Sequence, residues 1–330
     1  MLHTRPSPIS RLTPNVATSA PPYRRETFLS LLTSRFSNNF SLLHSNAAKT
    51  LCQQSFGSAK VTSWKGLACV LPFVFGCFGM SGCATTSLKQ TAQQRLGVEY
   101  QTVETTKFPL SSVVRLAHAD TLRIYLGGDG RPWKRGSPSN NPSGTERLAF
   151  ELFLKDPKAT HYISRPCYDI EPIPADCRTK LWTSDRYSSA VIASLTEAIS
   201  QLAGNSNIEL VGYSGGGTLA VLLAQQMPQV TRILTLGANL DHTAWTNFHN
   251  TPALSGSANA ATTNRRVSGQ ELHLYGQDDR EVPAALNQKY FDNNPSANIG
   301  IIDNFDHSCC WLEQWPDILN AWENSSRVNP

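Results

Sequence analysis

The order of apolar and polar segments predicts an α/β protein with a mostly parallel sheet of about eight strands flanked by helices. Strand-like and helix-like segments alternate along residues 84–330, which is the order that parallel strands with crossover helices require. One strand-like run leads directly into Gly212-Tyr213-Ser214-Gly215-Gly216 and then into a run of helix formers. That combination is typical of a nucleophilic serine on a strand-to-helix turn.

The elements follow from apolar, β-branched runs for strands and from apolar residues at helical spacing for helices. A first edge strand is expected within residues 83–104, and the later strands at 113–116, 122–126, 161–164, 207–211, 232–236, 271–275 and 299–302. Helices are expected at 146–155, 189–203, 218–227 and 311–322, the last despite Pro316. The polar stretch 247–266 is expected to be a surface excursion near the site.

Ser214 is the predicted nucleophile. Small residues flank it because the chain must turn sharply, and the following helix then aims its N-terminus at the hydroxyl. A serine hydroxyl needs a base within hydrogen-bond reach and an acid that orients the base. The alternative is a glycine-rich turn whose serine only caps the helix.

His307 is the predicted base among the four histidines that follow Ser214. It stands between the last strand and the last helix, where a loop can reach back over the strand ends. His242 follows the strand after the serine turn and is the second candidate. His249 lies in the polar stretch, and His273 lies inside a strand pattern, where a core position is expected.

Five motifs carry a family resemblance: Tyr125-Leu126-Gly127-Gly128-Asp129-Gly130, Arg165-Pro166-Cys167, Cys177 with Trp182-Thr183-Ser184, Gly212-Tyr213-Ser214-Gly215-Gly216-Gly217 and Asp306-His307-Ser308-Cys309-Cys310-Trp311. With them, residues 105–325 resemble an α/β-hydrolase, and in detail a group of uncharacterised bacterial α/β-hydrolases, many of them lipoproteins. The resemblance implies the α/β-hydrolase fold and a serine–histidine–acid triad. It implies no substrate.

The resemblance also suggests the acid and the oxyanion hole. Gly276 to Pro283 resembles the G-x-x-D-x-x-V-P turn of α/β-hydrolases, which places the acid on Asp279, with Asp278 as its rival and Asp241 as a third choice. Two adjacent carboxylates are not buried cheaply, so one should face solvent. The oxyanion donors are expected to be the N–H groups of Gly215 and, by analogy within the loop after the early strand, Asp129, with Gly128 second. The loop departs from the His-Gly-Gly form of many esterases, and a plain glycine-rich loop or a phosphate cradle is the alternative.

The predicted activity is that of an esterase-like serine hydrolase that cleaves a small-molecule carboxylic ester through an acyl-enzyme on Ser214. No cofactor and no metal are expected, because no cysteine or histidine spacing matches a zinc site. A thioesterase or peptidase on the same triad stays open. So does a non-catalytic envelope lipoprotein that uses the fold as a binding scaffold, since fold alone does not imply activity.

Charge separates a leader from the body of the chain. Residues 1–83 carry eight Lys and Arg against one acidic residue, whereas residues 84–330 carry 21 against 24, so the body shows no basic excess for nucleic acid. Residues 1–60 are expected to be a disordered or spurious extension, 61–82 a lipoprotein signal peptide, 83–104 a linker with the first edge strand, and 105–330 the catalytic domain. A transit peptide within 28–40 is an alternative for the extension.

Ser81-Gly82-Cys83 resembles the lipobox of bacterial lipoproteins, which implies cleavage before Cys83 and lipid attachment to its sulfur. The expected location is the bacterial cell envelope, on the periplasmic face of the outer membrane. A signal anchor over 66–88 is the alternative. The cysteines left for disulfides are Cys167, Cys177, Cys309 and Cys310, with the first two favoured as a pair and the last two either vicinally bonded or joined to the other loop. The sequence does not indicate an oligomeric state.

Overall fold

The structure is a computed structural model, and it describes residues 87–115, 120–144, 147–263 and 267–325. The chain divides into two units, Met1–Ser55 and Phe56–Pro330, and every described residue belongs to the second. The predicted extension, signal peptide and lipidated Cys83 lie outside the described residues. The division of the chain predicted for the leader therefore stays a prediction.

An eight-stranded sheet forms the centre of this unit. Its strands are β1 (Val98–Val103), β2 (Leu110–Arg115), β3 (Thr121–Leu126), β4 (Ala159–Ile163), β5 (Asn207–Tyr213), β6 (Val230–Leu236), β7 (Gln270–Gly276) and β8 (Asn298–Ile302). They lie in the order β1-β2-β4-β3-β5-β6-β7-β8. Only the pairings of β2, with β1 and with β4, are antiparallel; the other five are parallel. A separate hairpin pairs two short strands, Trp133–Lys134 and Ser137–Pro138, in antiparallel orientation.

Helices flank the sheet, which confirms the predicted α/β architecture with a mostly parallel sheet of about eight strands. They are α1 (Leu88–Gln93), α2 (Leu148–Lys155), α3 (Ser189–Ala203), α4 (Gly215–Ala224), α5 (His242–Phe248), α6 (Gln288–Asn293) and α7 (Trp315–Ser325), with short 3₁₀ turns at Thr179–Trp182, Ala260–Thr262 and Ala284–Asn287. None of the helices in the described ranges combines the length and apolar composition that crossing a lipid bilayer requires.

The predicted strands and the α3 helix lie where the sequence placed them, and the differences concern ends and short elements. Helix α4 begins at Gly215 rather than 218, directly after the serine. Helix α7 begins at Trp315, so Pro316 occupies its first turn, where a missing N–H group costs nothing. The short helices α1, α5 and α6 were not predicted, because six or seven residues are too few to show a helical period.

Helix α4 is the element that fixes the position of the serine. Every residue of this helix is buried, including the three glycines of its first turn. It packs against β5 and β6 of the sheet and against α3. A helix that is apolar on all sides belongs in a core. Because α4 is buried, Ser214 at its N-terminus is held in one place.

Candidate active site

Ser214 lies at the sharp turn between β5 and α4, as the N-cap residue of α4. Its φ of 53° is in the left-handed region, which few non-glycine residues adopt and which costs about 1–3 kcal/mol. The surrounding backbone enforces this conformation. The Ser214 N–H group donates a 2.8 Å hydrogen bond to the Leu236 carbonyl, and a side chain on Gly216 would overlap the carbonyl oxygens of Leu126 and Gly127. The predicted strand, turn and helix are therefore all present.

A continuous chain of hydrogen bonds connects Ser214 to His307 and Asp279. The Ser214 Oγ lies 3.0 Å from Nε2 of His307, and Nδ1 of His307 lies 2.8 Å from Oδ2 of Asp279. A carboxylate can only accept, so Nδ1–H donates to it. In the neutral ring Nε2 then carries the lone pair that faces the serine hydroxyl, which is the arrangement that general-base catalysis needs.

The two neighbouring carboxylates of the turn after β7 have opposite environments. Asp279 is buried with 4% of its surface exposed, and its Oδ1 accepts hydrogen bonds from the N–H groups of Glu281 and Val282 at 2.9 and 2.8 Å. Asp278 is exposed to solvent. The N–H groups of Glu281 and Val282 thus hold Asp279 in one orientation, with Oδ2 directed to His307.

The other candidates from the sequence are engaged elsewhere. Asp241 is the N-cap of α5 and accepts from the N–H groups of Thr243 and Ala244. Burial lowers the pKa of His242, and its Nε2 lies 3.3 Å from the Ser257 carbonyl. His273 lies within hydrogen-bond distance of Thr235 and Glu271. His249 lies within hydrogen-bond distance of the Glu281 carbonyl.

The loop that carries His307 follows β8 and is held from both sides. Trp311 donates from Nε1 to the His307 carbonyl at 3.0 Å. Oδ1 of Asp306 accepts from the N–H groups of Ser308 and Cys309 rather than contacting the His307 ring. The loop therefore presents the imidazole to Ser214 without help from the adjacent carboxylate.

The glycine-rich loop 127–130 lies against the serine turn. A side chain on Gly128 would come within 3.6 Å of the Ser214 Cβ, and one on Gly215 would overlap the Asp129 carboxylate. Within the described part of the chain, no hydrogen bond engages the N–H groups of Gly128, Asp129 or Gly215. These three amides, the ones predicted as oxyanion donors, are thus available to a ligand beside Ser214.

The side chain of Asp129 takes part in a buried ion cluster that the sequence did not predict. Its carboxylate contacts the guanidinium groups of Arg165 and Arg186 and the hydroxyl of Tyr187. Burial alone would raise the pKa of Asp129, but the two guanidinium groups outweigh that effect and hold the pKa at about 2. The sequence singled out Asp129 as an oxyanion donor and Arg165 as part of the Arg-Pro-Cys motif, but it singled out neither Arg186 nor Tyr187.

A cavity of about 790 Å³ opens at this site. Ser214 and His307 line it, together with the loop 127–130, Tyr213, Asn239 and Trp245. That volume lies in the range usual for small-molecule pockets. In the described ranges no three His, Cys, Asp or Glu side chains cluster in a way that would hold a metal ion.

The four body cysteines are joined in two pairs. Cys167 is bonded to Cys177, the pairing favoured from the sequence, and Cys309 is bonded to Cys310, the vicinal alternative. The first bridge lies beside Arg165, and the second follows His307 in the loop after β8.

No protein-family model and no curated protein matches the chain. Solved structures do resemble it. An esterase of Pyrococcus furiosus shares 15% identity at a TM-score of 0.48, covering 68% of this chain and 90% of that one. The mouse α/β-hydrolase domain-containing protein 10 shares 13% at 0.47, covering 70% and 98%. A lidless α/β serine hydrolase of Xanthomonas campestris shares 12% at 0.44, covering 71% and 95%.

All three structures are described as esterases or α/β hydrolases. The reaction proposed below is argued from the geometry around Ser214 and not from these similarities. The resemblance to lipoproteins finds no support in them.

Proposed function

We propose that this protein is a serine hydrolase of the esterase type. The observation that carries the proposal is the hydrogen-bond chain from Asp279 through His307 to Ser214, at the edge of a small-molecule cavity. The geometry meets each requirement of nucleophilic catalysis by serine: a base in contact with the hydroxyl, an acid in contact with the base, and free amides beside the nucleophile.

The proposed reaction forms and then hydrolyses an acyl-enzyme. Ser214 Oγ attacks the carbonyl carbon of the ester as its proton moves to Nε2 of His307, and the carbonyl electrons move to the oxygen. The N–H groups of Gly215 and Asp129, with Gly128 as the alternative, stabilise that oxyanion. Collapse breaks the bond to the alcohol, which leaves with the proton from Nε2. Water then repeats the sequence, releasing the carboxylic acid and restoring Ser214.

A panel of p-nitrophenyl esters with acyl chains of two to sixteen carbons tests the reaction class. We expect turnover of at least the short members and its loss in Ser214→Ala. The folded Ser214→Ala variant is the matched control, because nonspecific ester cleavage by surface groups would survive the substitution. Turnover that is equal in both proteins would contradict the proposal. Thioester and anilide substrates with the preferred acyl group separate a thioesterase or peptidase from an esterase.

We also propose that the enzyme is anchored to a bacterial membrane by lipid on Cys83. Support comes from the sequence alone: an apolar run at 66–79 is followed by Ser81-Gly82-Cys83. The intact mass of the protein extracted from membranes of a bacterial host tests this. We expect a chain that begins at Cys83 with added acyl mass, and Cys83→Ser should leave the chain uncleaved. A product that retains residues before Cys83 would contradict the anchor.

A further inference from the structure

The carboxylate of Asp129 is fully occupied by protein groups. Nη1 of Arg186 donates to Oδ2 at 2.8 Å, Tyr187 donates its hydroxyl to Oδ2 at 3.0 Å, and Nη1 of Arg165 donates to Oδ1. The arginine side chains are 2% and 6% exposed, and that of Asp129 is 21% exposed. A carboxylate engaged in this way serves as an anchor for its own backbone rather than as a contact for a substrate.

The backbone of Asp129 is anchored as well. Tyr168 donates its hydroxyl to the Asp129 carbonyl at 2.9 Å. The carboxylate packs directly against Gly215, the residue after the nucleophile, where no side chain would fit. The carbonyl and the side chain are thus tied down while the N–H group has no partner within the described residues. This is the pattern expected of an amide held in place for a ligand.

Both arginine side chains are themselves held by backbone carbonyls of the segment that contains Arg186. Arg165 donates from Nη2 to the Arg186 carbonyl, and Arg186 donates from Nε to the Thr183 carbonyl at 2.9 Å. The guanidinium group of Arg165 also lies 5.3 Å and 5.4 Å from the ring centres of Tyr168 and Tyr187. Both cations are therefore immobile before any substrate binds, which preorganised electrostatic stabilisation requires.

The charges of this cluster do not cancel. One carboxylate faces two guanidinium groups, so the cluster carries a net charge of about +1 at neutral pH, since arginine does not lose its proton. The carboxylate of the cluster, rather than its guanidinium groups, lies against Gly215 at the N-terminus of α4, which carries a positive partial charge of its own. The two guanidinium groups therefore offset a negative charge that would otherwise face an oxyanion at Ser214.

We infer that Arg165 and Arg186, acting through Asp129, are positioning residues for the oxyanion hole, and that they offset the negative charge of the carboxylate beside it. The inference rests on the proposed serine hydrolase function. The two arginines hold the Asp129 N–H group where the oxyanion develops, so they act on the transition state more than on the bound ester. Their loss should therefore lower kcat and leave KM nearly unchanged.

Arg186→Gln and Arg186→Lys, measured with p-nitrophenyl butyrate, test the inference. Rates are taken per active site, after titration with a fluorophosphonate, so that misfolded protein does not count. We expect kcat to fall about 10- to 100-fold in Arg186→Gln, less than for loss of an oxyanion donor itself. Arg186→Lys should recover part of the loss, because it keeps the charge but not the double contact to Asp129 and Thr183.

A second readout separates positioning from mere stability. An alkyl boronic acid forms a tetrahedral, negatively charged adduct with an active serine. Its affinity should fall in Arg186→Gln by about the same factor as kcat/KM, since both depend on the oxyanion site. Arg232→Gln is the matched control: it removes an ion pair to Glu209 at 3.0 Å and a bond to a carbonyl, away from the cavity. It should leave both quantities unchanged.

The outcomes are distinct. Wild-type kcat and wild-type boronate affinity in Arg186→Gln, per titrated site, would overturn the inference and leave the proposed function intact. A wild-type protein that neither turns over esters nor reacts with the fluorophosphonate would contradict the proposed function, and the inference with it. If Arg186→Gln does not fold, Asp129→Asn replaces it, because it keeps the shape and the N–H group but loses the ion pairs; unchanged kcat in that variant would also overturn the inference.

Discussion

Asp278 and Asp279 are identical in chemistry and adjacent in sequence, and the fold gives them opposite roles. The turn after β7 buries Asp279 and supplies it with two backbone N–H donors, whereas Asp278 faces solvent. The cost of burying two carboxylates together predicts that one of them must face water. Which one does so follows from the direction of a single turn, and only the resemblance of that turn to a known motif indicated it from the sequence.

Asp279→Asn should lower kcat by about 10⁴-fold, because an amide in place of the carboxylate favours the wrong tautomer of His307. Asp278→Asn is the matched control, and its kcat should stay within about twofold of wild type, as for most exposed substitutions. Steady-state rates with one ester, normalised to titrated active sites, give both values. The reverse ranking would show that Asp278 is the acid.

The cluster around Asp129 shows a contact that the sequence could not reveal. Arg165 and Arg186 lie 36 and 57 positions after Asp129, whose carboxylate they share. No local spacing or periodicity relates them, because their contact arises from the packing of three loops. The positions of Ser214 and His307, in contrast, could be predicted, since Ser214 directly follows β5 and His307 lies in the loop after β8, and the carboxyl ends of parallel strands lie at a common edge.

At the scale of the element, the strand-turn-helix unit around Ser214 depends on close backbone contacts. Gly212 and Gly216 lie so near to each other and to the loop after β3 that no side chain fits between them. The glycines therefore permit contact between three segments of backbone, in addition to allowing the turn itself. The sequence indicated the unit but not the start of α4, because glycine residues are poor helix formers and obscured its first turn.

Gly216→Ala should cost about 3 kcal/mol or more of the free energy of unfolding, because the methyl group would overlap backbone oxygens that cannot move aside. Gly136→Ala is the control for an uncrowded glycine: its surroundings are open, so only the cost of a side chain at its left-handed φ of 80° is expected, about 1 kcal/mol. Urea unfolding at one pH measures both. Equal effects of the two substitutions on the free energy of unfolding would contradict the close packing around the turn at Ser214.

At the scale of the whole molecule, the sheet order brings Ser214, Asp279 and His307 together. Strands β5, β7 and β8 end at one edge of a parallel array, where ligands bind in open α/β sheets. Residues 93 and 28 positions apart in the chain thereby come into hydrogen-bond contact. The alternation of strand-like and helix-like segments along the chain predicts a parallel sheet and nearly all of its strands. It does not predict their order, since the placement of β4 between β2 and β3 depends on long-range pairing.

The central claim is that Ser214 is an activated nucleophile, and covalent labelling tests it most directly. A fluorophosphonate reacts with a serine only where a base activates it and an oxyanion site receives the phosphoryl oxygen. Intact mass spectrometry of the folded protein should show one adduct per chain, located on Ser214 by peptide mapping and absent in Ser214→Ala. An unlabelled wild-type protein, or an adduct that persists in Ser214→Ala, would contradict the claim.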